Sequence, residues 1–443
     1  MSVKRILSNV AWAGSLKIIG VIFTMAVNVL VARLLDVEAA GYYFLTASLA
    51  VFGALVARLG MRQSVVKLVA RSMALGTVGT AAGVIRKILS TTLIGTVITA
   101  GIFLAASGWI DRALYQNSRH PYILFVIPWL GLLAFQSILS DVFRGFQHID
   151  LSSLIDGVLV NTLIAAILLA LYFTVRPLAL GDVIAVTIGA YTLVVGFAFY
   201  LLKRRIGDFH GEDRSTYGEL IGLSVPIFIV NLCTYLAAES SLWFVAYYGK
   251  TEEIAVFGVC LKLVKLVTLP LLIQNIVVTP LIVELHTTRE RDKLQRLVKG
   301  AATLTAVPSV ILILVFIAAG NHVLALLFGG AYADGWRILV IMSVGYLINV
   351  CSGPCNNTLM MTGYEKTIMK LFVVTTAAAV AAMALLGWRF GVTGIAVSVS
   401  AALIVHNLIA VVLARTFSGI ETFATLRPTY IRGLITYLGQ KRC

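Results

Sequence analysis

Residues 258–272 read GVCLKLVKLVTLPLL. Without its two lysines this is a piece of membrane-spanning helix with nothing further to explain. With them, Lys262 and Lys265 stand three residues apart on one helical face, inside sequence otherwise suited to hydrocarbon. A bare ammonium near the centre of a bilayer costs at least about 3 kcal/mol. Something must offset that cost, and the rest of the chain narrows what it is.

The chain has 443 residues, 59% of them hydrophobic and 12% charged, whereas soluble domains average about 45–50% apolar residues. Apolar windows of roughly 20 residues recur from end to end, which predicts an all-α polytopic membrane protein. MSVKR and the apolar run after it superficially resemble a secretory signal. The run from Val10 to Ala32 is too long for one and lacks a small-residue cleavage site, so it reads as the first span. Cys233, Cys260, Cys351, Cys355 and Cys443 form neither a disulfide framework nor a zinc spacing with the six scattered histidines. Cys351 and Cys355, four residues apart, read as small apolar packing groups. No metal or cofactor is expected. A net charge of +15 would suggest nucleic acid in a soluble chain. Here its distribution gives orientation instead, and no nucleic-acid partner is expected.

Apolar windows fall near 11–32, 39–60, 88–108, 122–143, 153–174, 182–202, 220–247, 254–285, 300–320, 337–361, 369–387 and 392–414. With the N-terminus inside, 24 of the 35 Lys and Arg lie in inside segments and 7 in outside ones. The positive-inside rule then places both termini in the cytoplasm. The basic inside segments around 62–87, 203–219 and 286–299 read as loops lying along the anionic leaflet. The outside loops are all short.

The two halves of the chain are weakly alike. IAVTIGAYTLVV (184–195) resembles IAVSVSAALIVH (395–406), RGFQ (144–147) resembles TGYE (362–365), and EAAGYY (38–43) sits where EIAVFG (253–258) does. The three matches share one order and nearly one offset. An even number of spans per half gives parallel repeats, about a pseudo-two-fold along the membrane normal, with a substrate site near the midplane. The predicted organisation is a six-helix bundle over 1–205, a linker at 206–219, a second six-helix bundle over 220–415 and a cytoplasmic tail at 416–443. Such an architecture belongs to transporters.

LVARLLDVEAAGYYFLTASLAVFGALVARLGM (30–61), TPLIVELHTTRERDKLQRL (279–297) and VLALLFGGAYADGWRILVIMSVGYL (323–347) resemble segments of polysaccharide flippases of the multidrug/oligosaccharidyl-lipid/polysaccharide (MOP) exporter superfamily. The resemblance implies a twelve-span, Wzx-type O-antigen or exopolysaccharide flippase of the bacterial inner membrane. Its substrate would be undecaprenyl-pyrophosphate-linked oligosaccharide, moved from the cytoplasmic to the periplasmic leaflet by alternating access. Membrane lipid, a polysaccharide polymerase and other assembly proteins are the partners implied. Lipid II flippases usually have fourteen spans and an Arg-Asp pair in span one, where this chain has MAVNVL (25–30). Multidrug extruders of the superfamily bind cations and depend on buried carboxylates, whereas this chain buries mainly cations.

The candidate substrate-binding residues follow from charge and helical register. Lys262 and Lys265 suit a dianionic diphosphate as paired point charges, with snorkelling to the outer interface as the plain alternative. Pro270 predicts a kink in the same span. Lys17 shares a face with Thr24 and Asn28, either lining a cavity or snorkelling. Arg58 ends span two, where an interfacial anchor is the simpler reading, and Arg33 ends span one at a family position commonly arginine. Glu239 reads as the only carboxylate clearly inside a span. It follows Asn231 and Tyr235 and precedes Trp243 at intervals of four, a polar and aromatic stripe suited to sugars. Glu239 is the candidate coupling group, or a structural partner of a span-eight lysine. SGPCNN (352–357) predicts a helix break, with Asn356 and Asn357 serving freed backbone groups or sugar.

Enzymatic alternatives, such as a polyprenol-dependent glycosyltransferase, need acidic membrane-edge motifs or a large outer loop, and neither is present. No Walker A sequence occurs, so direct ATP drive is excluded. A membrane scaffold would leave the buried lysines and Glu239 without purpose. The expectation is therefore a transporter and not an enzyme, with cation-coupled multidrug efflux or lipid II flipping as the alternatives.

Overall fold

The computed structural model describes residues 3–75, 78–116, 122–174, 178–206 and 217–425. Most of the linker predicted at 206–219 and most of the tail predicted at 416–443 lie outside the described residues.

An apolar segment in hydrocarbon must satisfy its own N–H and C=O groups, which selects the helix. The described chain accordingly runs α1 (Val3–Leu34), α2 (Val37–Ala57), α3 (Met61–Ala74), α4 (Val78–Ala105), α5 (Ser107–Leu114), α6 (Ile123–Gly145) and α7 (Ile149–Ser153). A wide turn at Leu154–Val158 leads to α8 (Leu159–Thr174), α9 (Leu180–Ile206), α10 (Tyr217–Glu239), α11 (Ser241–Tyr248) and α12 (Thr251–Val264). A tight turn at Lys265–Thr268 then precedes α13 (Leu269–Thr287) and α14 (Arg291–Phe328). The last helices are α15 (Trp336–Cys351), α16 (Cys355–Met361) and α17 (Glu365–Leu413).

Eleven helical stretches among the described residues are long and apolar enough to cross a membrane. The last, Glu365–Ser418, has 54 residues, or about 80 Å at 1.5 Å per residue, far more than the roughly 30 Å of a hydrocarbon core. Gly391 breaks it, with φ 58° and ψ −142°. A Cβ on Gly387 would stand 3.1 Å from the Ile395 side chain, eight residues on, where a straight helix would separate them by about 12 Å. The chain turns back there, and the stretch supplies two crossings. Twelve crossings result, as the apolar windows predict. Phe173 and Trp388 are each 77% exposed, the surface a bilayer covers.

The chain divides into two compact units. The first comprises Ser15–Tyr235 with Gly249–Ala255; the second comprises Leu236–Tyr248 and Val256–Cys443, with Met1–Gly14. In the first, α6 packs against α2, α3, α4 and α9. In the second, α15 packs between α14 and α17, while α13 lies on α14 and α11 on α17.

Three local readings are corrected. Most of the basic stretch predicted as a loop at 62–87 is helical: α3 buries Ser64, Val65, Leu68 and Val69, and α4 begins at Val78. The loop predicted at 286–299 shrinks to a turn, because α14 begins at Arg291. Pro270 itself sits in the first turn of α13, where its missing N–H is harmless, and the interruption it predicts is displaced toward the residues before it. The break falls just before it, at Lys265–Thr268, where Pro270 cannot bond the Leu266 carbonyl.

Gly60 is one of the tightest points of the first unit. Its φ is +74°, and a Cβ there would stand 2.4 Å from the Ser224 carbonyl oxygen. Ser64 and Ser224 hydroxyls meet nearby at 2.7 Å. Gly60→Ala should therefore cost about 1–3 kcal/mol from backbone strain alone, and more from displacing α10. The thermal unfolding midpoint in detergent reads this, and an unchanged midpoint would refute the close approach.

Candidate functional site

Lys262 and Lys265 meet a carboxylate. Lys262 lies in the last turn of α12 and Lys265 opens the tight turn that follows. Lys262 Nζ stands 3.7 Å from Glu239 Oε2, and Lys265 Nζ pairs with Glu239 Oε1. The lysine side chains are 28% and 35% exposed, and that of Glu239 is 14% exposed. All three belong to the second unit. With every group ionised the cluster keeps one positive charge in excess.

Both chain segments that carry the cluster are interrupted at it. α10 ends at Glu239 and α11 starts at Ser241. The Ser240 hydroxyl donates to the Leu236 carbonyl, and the Ser241 hydroxyl donates to the Ala238 carbonyl at 2.5 Å. Such back-bonding competes with the helix ladder and bends it. On the other segment the Thr268 hydroxyl donates to the Lys265 carbonyl at 2.8 Å, and Ser309 of α14 donates to the Val267 carbonyl at 2.7 Å. Hydroxyls thus satisfy the carbonyls that the breaks set free, and the charges sit on two hinged backbones.

Beyond the tight turn, Lys265, Thr268, Asn275 and Thr279 recur at helical spacing. The Asn357 amide donates to Thr279 Oγ1 at 3.2 Å, so it serves a side chain of α13 rather than backbone freed at the break. That break is present, with Gly353 and Pro354 between α15 and α16. Asn275 Oδ1, Asn356 Oδ1 and Gln274 Nε2 are buried with no hydrogen-bond partner among the described residues. Each such group is costly to leave unmade, and α13 and α16 both carry amides along this stretch.

The stripe on span seven is divided. Asn231 is half-buried on α10 and Trp243 half-buried on α11, beyond the Ser240 interruption. The Tyr235 hydroxyl is bonded to the Ser48 carbonyl at 2.6 Å, and its ring packs 6.0 Å from that of Phe52. Asn28 is buried and donates to the Thr24 carbonyl at 2.8 Å. The Thr24 hydroxyl in turn accepts from the Asn161 amide at 2.8 Å. Lys17 is 48% exposed and lies 3.9 Å from Asp156. Arg58 donates to the Ser137 hydroxyl at 2.6 Å, and Arg33 is exposed at the end of α1.

Glu239 is not the only carboxylate inside a span. Asp141, 1% exposed, lies in the Ile123–Gly145 span, and Asp156 lies in the wide turn of the Ile149–Thr174 span. Arg62 joins them: its Nε donates to Asp141 at 2.5 Å and its Nη2 to Asp156 at 3.2 Å. Arg144 adds a contact to Asp141 at 3.3 Å. A carboxylate two or three residues from the edge of an apolar window reads as flank. The signal that finds it is Gly157, whose φ of 155° marks distorted helix beside Asp156.

Twelve long apolar crossings, interrupted where paired charges sit, define a multi-pass membrane protein. Among solved structures, the fold is similar to an inward-facing multidrug resistance MATE family transporter of the MOP superfamily, with TM-score 0.74, 15% identity and coverage of 90% of this chain and 94% of that one. It is also similar to a MOP superfamily transporter from Pyrococcus furiosus, with TM-score 0.65, 15% identity and coverage of 92% and 95%. A Vibrio cholerae MATE transporter matches with TM-score 0.62, 13% identity and coverage of 92% and 96%. The MatE family model matches residues 226–386, while no curated protein matches the sequence. The polysaccharide biosynthesis protein family model matches residues 6–286, more than half of the chain, and the chain belongs to that family.

Proposed function

We propose that this transporter flips undecaprenyl-pyrophosphate-linked oligosaccharide across the bacterial inner membrane, from the cytoplasmic to the periplasmic leaflet, by alternating access. Both termini lie in the cytoplasm in this reading. The Lys262–Glu239–Lys265 cluster carries it. Two ammonium groups held by one carboxylate form a clasp that a diphosphate can open, since it offers more negative charge than Glu239 does and takes both lysines at once. The amide-rich track along α13 and α16 then suits the hydroxyls of the attached sugars. The similar transporter from Pyrococcus furiosus is described as having a binding pocket of reverse polarity that suggests a different function, and an excess of lysine over carboxylate is the corresponding feature here. The MatE match favours a second reading, efflux of cationic drugs. In that reading two lysines beside one carboxylate repel the cargo.

Proteoliposomes distinguish the two. The reconstituted protein should accelerate translocation of polyprenyl-diphosphate oligosaccharide and leave a cationic dye where it was added. The opposite result would establish efflux. Glu239 is proposed as the coupling group, because its protonation releases the lysines to the diphosphate and its deprotonation takes them back. Glu239→Gln should then keep or raise substrate binding while abolishing the dependence of flipping on a pH gradient. An undiminished gradient response would reduce Glu239 to a structural partner.

A further inference from the structure

A second cationic site lies well away from the cluster, where span eight gives way to span nine. α13 stops at Thr287, and the chain reverses within three residues, the Arg289 N–H bonding the His286 carbonyl at 3.1 Å and the Glu290 N–H the Leu285 carbonyl at 3.0 Å. Arg289 takes φ +60°, in the position after a helix where glycine is the usual residue. Backbone held in that region by a side chain other than glycine is a reason to ask what the side chain does. The turn sets His286, Arg289 and Arg291 around a cleft of about 430 Å³, with Leu285, Leu294 and Ile420 as its apolar floor and Ser418 at its edge. The three floor residues are at most 2% exposed, whereas the three basic residues are exposed. Of the neighbouring acids, Glu290 pairs with Lys293 and Glu421 with Lys299.

One wall of the cleft is a strap. After the last crossing, residues 419–425 run extended across α14 and the break at 352–354. Gln295 and Glu421 exchange two hydrogen bonds, from the amide to the Glu421 carbonyl at 2.7 Å and from the Glu421 N–H to the amide oxygen at 2.9 Å. Thr303 and Thr425 exchange two more, at 3.1 and 3.0 Å, and the Ala424 N–H donates to the Cys351 carbonyl at 2.7 Å. The Lys299 hydrogen bond holds the Glu421 carboxyl below its ordinary range. This pairing seats Ile420 among Val278, Ile282, Leu285, Leu294 and Leu297.

We propose that this cleft binds the phosphate head of an anionic phospholipid, and that the strap completes the site. The three basic side chains supply the charge-assisted contacts a phosphodiester takes. The cleft lies at the end of a membrane-crossing helix, where lipid headgroups gather, which favours a phosphate carried on lipid over a free one. The proposal is independent of which substrate the transporter carries.

The test uses the full-length protein in neutral detergent, titrated with short-chain phosphatidylglycerol, short-chain phosphatidylcholine or inorganic phosphate, with native mass spectrometry as the readout. Phosphatidylglycerol should bind and the other two should not compete with it. Arg289→Gln with Arg291→Gln should weaken binding about 30-fold, at about fivefold for each cation near an anionic head. Gln295→Ala, which frees the strap without touching the cleft, should also weaken it. Unchanged binding in the double-arginine variant overturns the site, and unchanged binding in Gln295→Ala overturns the part given to the strap. Competition by inorganic phosphate at similar concentration makes it a free-anion site and overturns the lipid assignment.

Discussion

Replacing Lys262 and Lys265 together by glutamine should reduce flipping by about two orders of magnitude or more, since two charge-assisted contacts of roughly 1.5–3 kcal/mol each are lost. Lipid-linked oligosaccharide should then accumulate on the cytoplasmic leaflet of cells carrying the variant. Glutamine keeps hydrogen bonding and length while removing charge, so loss of function is assigned to charge. Arginine at both positions keeps the charge and should be partly tolerated. Glu239 complicates the stability comparison in an informative way. Without its lysines its carboxylate stays largely buried among apolar residues, and a buried charge without a partner is costly. The double variant should therefore unfold at lower temperature than the triple variant in which Glu239 is also glutamine. Normal flipping by the double variant would remove the diphosphate from the proposal. The lysines would then be structural partners of Glu239 alone.

Asp141 should give the largest stability effect in the first unit. It is fully buried, and Arg62 and Arg144 both reach it. Asp141→Ala leaves the half-buried Arg62 guanidinium with Asp156 as its remaining carboxylate, at 3.2 Å. Breaking one side of a buried pair costs about 3–5 kcal/mol, and the partial exposure of Arg62 places this one at the lower end. Unfolding in detergent measures it, with Arg62→Met/Asp141→Leu as the companion that removes both charges and restores most of the loss. A midpoint for Asp141→Ala equal to that of the parent would show that the pairing contributes nothing.

The crossings were legible because hydrocarbon leaves a chain few choices, and twenty apolar residues in water-free surroundings become helix. The charges of the candidate site were legible for a related reason, since Lys262, Lys265 and Glu239 stand out against an apolar background. That they meet one another was open in the sequence, because the pairing depends on packing between separate segments. Asp141 and Asp156 escaped notice through position, as residues at the edge of an apolar window look like solvated flank. α3 was hidden by its basic face, which reads as loop although Val65, Leu68 and Val69 recur at helical spacing. The strap had no signal at all. An extended segment has no helical period, and its path is set by partners such as Gln295 and Thr303 more than 100 residues away.

The reversal at Gly391 bears on how the protein is made. A single residue separates the last two crossings, too little for a loop that could rest on the far side while its second helix is still being synthesised. The pair enters the membrane as one hairpin, with Trp388, Arg389 and Phe390 at its tip. Trp388 is of a residue type that settles at a membrane–water boundary, so the hairpin carries its own anchor. A substitution that straightens Gly391 would then act during synthesis, as a failure of insertion, before any transport cycle begins.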